Sequence, residues 1–221
     1  MVIFLVINGL FLWVFPGATN VFDGGHATLQ TFFIISPWIF LFLVPAITMR
    51  MFADEKKTGT IELLITRPLS PMQIILAKYL ASVTLALFAI IPSLIFYLSV
   101  YLLGSPAGNI DTGGTWGSYI GLFFLAGIYC AIGIFSSSLT DNQVIAFLLS
   151  VVLCFLLFSG FDSISSFSLL QPYSVTIAGT GINEHYASLS RGVIDSRDLI
   201  YFLSVVAFFL SLTHSKIKKR S

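Results

Sequence analysis

RMFADEKKTGTIELLITRPLSPMQ, residues 50–73, decides the fold, because it is the one long charged interruption between apolar runs. Arg50, Asp54, Glu55, Lys56, Lys57, Glu62 and Arg67 fall inside it, and Lys78 follows just within the next apolar run. A charge at the centre of a bilayer costs roughly 2.5 kcal/mol or more. Charge at this density therefore belongs in water at the edge of hydrocarbon. The flanking composition agrees: the 221 residues are 57% hydrophobic and 10% charged, against about 25% charged in soluble domains. The chain reads as an all-α integral membrane protein.

Within the stretch, Gly59 and Thr60 can open a short helix, and Arg67-Pro68 should close it, since the residue before proline avoids the α region. Ile61, Leu64 and Ile65 share one face of that helix, and Glu62, Thr66 and Arg67 spread over the other. Leu63 falls in the polar arc, which a helix lying flat on lipid does not require. Ser70, Pro71 and Gln73 then make a capping box with proline at the first helical position, so a new helix starts there and enters the membrane. Two readings of the stretch stay open: a solvated loop at the headgroups, and a docking element for a cytosolic partner.

Working outward, six apolar runs predict six spanning helices in one domain covering 1–221, at about 1–15, 31–49, 74–103, 115–135, 144–160 and 199–212. The first lacks the basic n-region and the cleavage motif of a signal peptide. It is short, like the sixth, against the roughly 20 residues that a bilayer asks for. Pro37 and Pro45 predict kinks in the second run and Pro92 a bend in the third. Ser82, Thr84, Ser93 and Ser99 give the third run polar spots, either for a path or for hydrogen bonds between helices. Gly117 and Gly121 form a GxxxG spacing that permits close helix contact. The turn SSSLTDNQ, 136–143, predicts a second capping box, Thr140 to Gln143, with a helix starting at Asp141. Residues 161–197 form a less hydrophobic segment on the outer face, either a lid or packing that closes the surface. It should hold a helix capped by Asn183 and stopped by Gly192, and Asp195 to Asp198 should cap the last span.

Six spans put Arg50, Lys56, Lys57, Arg67, Lys78, Lys216, Lys218, Lys219 and Arg220 on one side and leave Arg191 and Arg197 on the other. The positive-inside rule then places residues 50–73 and both termini in the cytosol. The chemistry is otherwise sparse. No phosphate-binding G-x-x-x-x-G-K-[ST] occurs, nor HExxH or GxSxG. His26, His185 and His214 lie far apart, and Cys130 and Cys154 sit in apolar runs without Cys/His clustering, so no metal site or disulfide is expected. A net charge of +1, with few and scattered basic residues, gives nucleic acid no footprint.

The run FADEKKTGTIELLITRPLSPMQIILAKYL, 52–80, resembles the signature loop of ABC-2 type transporter permeases: an acidic-basic cluster, GT-(L/I)-E-LL, RP, then an AK-containing helix start. SSLTDNQ, 137–143, and HYASLSRGVIDSRDLIYFLS, 185–204, are similar to that family's fourth-to-fifth helix turn and to its outer-face segment. The likeness is nearest to the gliding-motility-associated (GldF-like) permease branch. It implies a six-helix ABC-2 fold with a short cytosolic coupling helix; the sequence departs from the family's pattern in that the usual amphipathic interfacial helix does not stand ahead of the first apolar run. It implies a multi-pass permease subunit of an ATP-driven exporter in a bacterial cytoplasmic membrane. Such a subunit is not itself an enzyme: it holds no cofactor, and ATP is bound by a partner P-loop ATPase. A second permease subunit, the same chain or a different one, completes the pore. On this likeness Glu55, Lys57, Gly59, Thr60, Glu62, Leu63 and Arg67 form the ATPase-coupling surface, with Ser70, Gln73, Thr140 and Gln143 capping helices beside it. A role in gliding or secretion follows from the branch. The competing reading is a membrane scaffold that docks an ATPase and translocates nothing.

Overall fold

The computed structural model describes residues 1–17, 19–60, 69–193 and 195–218. No strand occurs among them. The main helices are α1 (Val2–Val14), α2 (Gln30–Lys57), α3 (Pro71–Leu103), α4 (Thr112–Leu139), α5 (Gln143–Ser165), α6 (Ile182–Leu189) and α7 (Ser196–Lys218). Five of them, α2, α3, α4, α5 and α7, are long and apolar enough to cross a membrane, and α1 is apolar but shorter. The sequence expectation of six spans thus meets five helices of spanning length and one short one.

α4 is the axis of the bundle. Leu122, Leu125, Ile128, Tyr129 and Ile132 are all fully buried along it. The ring pairs Phe124–Phe202 at 6.1 Å and Phe135–Phe209 at 5.7 Å set α7 parallel to α4. Phe33 stacks edge-on against Tyr119 at 5.0 Å, and Thr48 lies against Gly133, so α2 is parallel to α4 as well. The last turns of α2, α4 and α7 therefore share one end of the molecule with the first turns of α3 and α5. Lys56, Lys57, Lys78, Lys216 and Lys218 all belong to that end. α1 runs against α2, with the Phe4 and Phe40 rings stacked at 4.6 Å. Buried Asn8 is satisfied there by Phe4 O, to which it donates at 3.0 Å, and by the Ser36 hydroxyl, which donates to it at 3.3 Å.

Small residues permit the close approaches. A Cβ on Gly117 would stand 2.7 Å from Gly192 Cα, and one on Gly121 would stand 2.7 Å from Leu189 Cβ. The GxxxG pair thus seats the end of α6 and the turn after it, where Gly192 adopts φ +82°. α6 buries Ile182, Tyr186 and Leu189. The Tyr186 hydroxyl donates to Phe33 O at 2.7 Å, and burial raises its pKa well above the usual tyrosine value. His185 pairs through Nδ1 with Asp198 at 2.6 Å and stacks on Tyr201 at 3.9 Å, which ties α6 to the start of α7.

Several local expectations are corrected. Residues Arg50–Lys57 are helical, extending α2 beyond a break at Met49, because Phe52 and Ala53 bury their side chains against the bundle. The short helix expected after Gly59 lies at 61–68, outside the described residues. α4 continues through Leu139, so Ser136, Ser137 and Ser138 are helical and buried and form no turn. Asn142, not Thr140, caps α5, accepting from the Val144 N–H at 2.9 Å. Thr140 accepts from the Asn142 N–H at 3.1 Å. Gln143 does not close a box, because its amide donates to the Asp54 carboxylate across the interface, and a charged acceptor is the stronger partner. Asn183 leaves the capping of α6 to Gly181 and donates to Asp162 at 2.6 Å. The α3 hydroxyls bond their own helix: Ser82 to Tyr79 O, Thr84 to Leu80 O, Ser93 to Ile90 O and Ser99 to Ile95 O. Such back-bonding is always within reach of a helical hydroxyl.

Candidate functional site

The lysine-bearing end of the bundle carries the polar cluster of the molecule that the sequence singled out. It is built around the Arg50–Lys57 extension. At Met49 the α2 ladder breaks, and Ser137 of α4 bridges the gap. Its hydroxyl donates to Met49 O at 2.9 Å and accepts from the N–H groups of Phe52 and Ala53, both at 3.0 Å. One buried hydroxyl thus satisfies the Phe52 N–H, which the break would orphan, and adds a second bond to the Ala53 N–H and to Met49 O, the first pair of the restarted helix.

Five further contacts hold the extension. Lys78, from the second turn of α3, donates to Met51 O at 2.6 Å and to Glu55 Oε1 at 2.5 Å, and its ammonium stands 4.7 Å from the centre of the Phe52 ring. Lys56 donates to Ser138 O, and Gln143 donates to Asp54. The extension is therefore pinned by α3 on one flank and by the α4–α5 turn on the other. Beyond it Thr58 donates to Asp54 O at 2.8 Å, the Thr58 and Thr60 hydroxyls meet at 2.9 Å, and Gly59 reverses the chain at φ +72°. On the far side of the loop Ser70 caps α3: it accepts from the Gln73 N–H at 3.3 Å, and its own N–H donates to Gln73 Oε1 at 2.8 Å.

The expected coupling residues fall into three groups. Lys57, Gly59 and Thr60 are exposed together where the extension ends. Glu55 points inward to Lys78, and its Oε2 is buried with no hydrogen-bond partner among the described residues. Glu62, Leu63 and Arg67 lie outside the described residues. Asp54, Lys78, Ser137 and Ser138 were missed as members of one cluster, although the motif 137–143 already contained the serines. Among the described residues the site offers hydrogen bonds and the Lys78–Glu55 ion pair. No group of three His, Cys, Asp or Glu side chains able to hold a metal occurs among the described residues.

A first prediction follows from Ser137. Ser137→Ala should leave the Phe52 N–H group unpaired and cost about 1–3 kcal/mol. It should appear as faster hydrogen exchange confined to 50–57, with the centre of α4 unchanged. Unaltered exchange there would show that the bridge carries no weight.

Residues 18–180, more than half of the chain, match the family model described as ABC-2 family transporter protein. No curated protein matches the chain.

Proposed function

This chain belongs to the ABC-2 transporter family, and from that premise we propose that it is the permease subunit that couples a partner ATPase to export of a substrate. The observation that supports this reading most is the pinned extension. Arg50–Lys57 delivers Lys57, Gly59 and Thr60 to the surface, and Ser70 restarts the chain as a capped helix continuous with α3. A segment held at both ends by rigid helices transmits displacement into the membrane, whereas a free loop would absorb it. Residues 57–67, which include Glu62, Leu63 and Arg67, are the contact surface for a cytosolic P-loop ATPase. That partner binds the ATP, and Glu62 pairs with a basic residue on it. Glu55 acts from behind, by fixing Lys78. A second permease subunit, identical or homologous, completes the translocation path. The lysine-bearing end and both termini face the cytosol of a bacterial cell, in keeping with the distribution of basic residues, and the cargo belongs to gliding motility or secretion.

The test is co-purification through a C-terminal tag after gentle solubilisation, with wild type and Glu62→Lys compared. A P-loop ATPase should accompany the wild type and be reduced at least tenfold with the variant, while insertion stays normal. An ATPase present equally in both would move the contact elsewhere. An ATPase retained by wild type in a complex whose hydrolysis rate ignores every candidate cargo would favour the non-translocating scaffold. No ATPase in either sample would overturn the reading.

A further inference from the structure

The segment between α5 and α6, whose sequence suits either a lid or packing, is fastened to the bundle through a histidine. Ser174–Ala178 is a short helical turn that exposes Val175 and leads into Gly179 and Thr180. The backbone bonds of this stretch close on itself: the Gly179 N–H donates to Val175 O, the Thr180 N–H to Ile177 O and the Gly181 N–H to Ala178 O. Two side chains reach it with hydrogen bonds from outside. The Tyr201 hydroxyl of α7 donates to Thr180 O at 2.7 Å, and Nε2 of His185 lies 3.1 Å from Gly179 O.

His185 stands between two acceptors. Its Nδ1 is 2.6 Å from Asp198 Oδ1 while its Nε2 faces the Gly179 carbonyl, and a neutral imidazole has one N–H to give. Only the imidazolium satisfies both contacts. Asp198 favours that cation. It is 6% exposed, and its Oδ2 is buried without a hydrogen-bond partner among the described residues. Imidazole is a stronger base than carboxylate, which leaves the shared proton on the ring. The surroundings bring no competing charge into contact. α4 and residues 166–181 carry no Asp, Glu, Lys, Arg or His. Asp162, at the end of α5, accepts from Asn183 at 2.6 Å. Arg191 gives its Nε to Ala187 O, and Asp195 accepts from the Arg197 N–H. The side chains of Glu184 and Arg197 make no hydrogen bond or ion pair among the described residues. From α7, Asp198 and the stacked Tyr201 ring are the titratable groups that face His185.

We propose that His185 is a proton-operated latch on residues 174–181. Charged, it holds Gly179 O and Asp198 at once. On losing a proton it keeps the one on Nδ1, because the carboxylate is the stronger acceptor, and a bare Nε2 then faces Gly179 O. Two lone pairs so placed repel, and 174–181 is left with Tyr201 as its outside hydrogen bond. α6 itself stays seated through buried Ile182, Tyr186 and Leu189. Acid closes the latch, and a rise through the range where histidines change charge, about pH 5 to 8, opens it.

Hydrogen exchange of the full chain in nanodiscs, corrected for the intrinsic pH dependence of exchange, reads this local opening. Protection of 174–181 should fall about tenfold between about pH 5.5 and about pH 8, the worth of one hydrogen bond, while 182–189 keeps its protection. His185→Gln should hold 174–181 at the high-pH level throughout. Tyr201→Phe should lower protection at every pH and leave the dependence intact. A flat profile in the unsubstituted chain would overturn the latch, and so would a pH dependence that survives His185→Gln. Nitrogen NMR of the imidazole needs no change at the site: with His26→Gln and His214→Gln, His185 is the one remaining histidine. Both ring nitrogens should carry protons at low pH and Nδ1 alone at high pH. A proton on Nε2 alone at high pH would equally overturn the proposal. Neither measurement needs an ATPase or transport, so the outcome is independent of the coupling reading.

Discussion

Lys78→Met should lower stability by about 2–3 kcal/mol, and Glu55→Gln in the same chain should restore most of the loss. The single substitution keeps the stem that packs near Phe52 but removes the ammonium, and Met51 O and Glu55 Oε1 both lose their donor. The second Glu55 oxygen is already buried without a partner among the described residues, so nothing near it takes up the charge. Removing one member of a buried ion pair typically costs about 3–5 kcal/mol. Here the side chains are 16% and 24% exposed, which places the effect at the low end. The neutral amide of the double variant no longer carries a stranded charge, and this separates the ion pair from simple packing. Thermal unfolding of the detergent-solubilised chain in all four combinations reads the coupling. An unshifted transition for Lys78→Met would remove the pair from any account of how the extension is held.

Gly133→Val should be at least as damaging. A Cβ at residue 133 would stand 2.8 Å from Thr48 Cβ, and closer yet to the Thr48 hydroxyl. Thr48 cannot swing aside cheaply, since it is fully buried and donates to Val44 O at 2.9 Å. Valine adds two further methyl groups where α2 and α4 touch. Overpacking of this kind typically costs about 1–3 kcal/mol, and the upper figure applies because both contacting groups are on rigid helices. The contact lies one turn from Ser137, so parting α2 from α4 also pulls the bridge away from Phe52 and Ala53. The expected readout is a loss of monodisperse protein on size exclusion, smaller for Gly133→Ala. Thr48→Ala should rescue only in part, because it retains the offending Cβ. Wild-type behaviour of Gly133→Val would show that the two helices can separate freely.

The membrane character, the helical class and the start of α3 at Ser70 were legible from residue order alone. Each depends on local chemistry: apolar length for the spans, and a Ser-Pro-x-Gln spacing for the cap. The family was legible in 52–80 for a similar reason, since a loop built from short-range turn and charge signals keeps them contiguous. What residue order could not supply was the partner of each polar group. Gln143 sits at the right spacing for a capping box, yet Asp54 draws it away. Asp198 stands where a cap is expected and instead pairs with His185. Ser137 reads as a turn residue and proves to be a buried bridge inside α4. In all three cases a partner distant in sequence offers a stronger or otherwise unmet hydrogen bond, and a buried polar group takes the partner that satisfies it. Residue order by itself determined a bundle of apolar helices with a charged loop at one end. Only the tertiary structure decided that the loop's first third is a helix clamped between α3 and the α4–α5 turn, because that clamp consists of contacts between residues more than twenty positions apart.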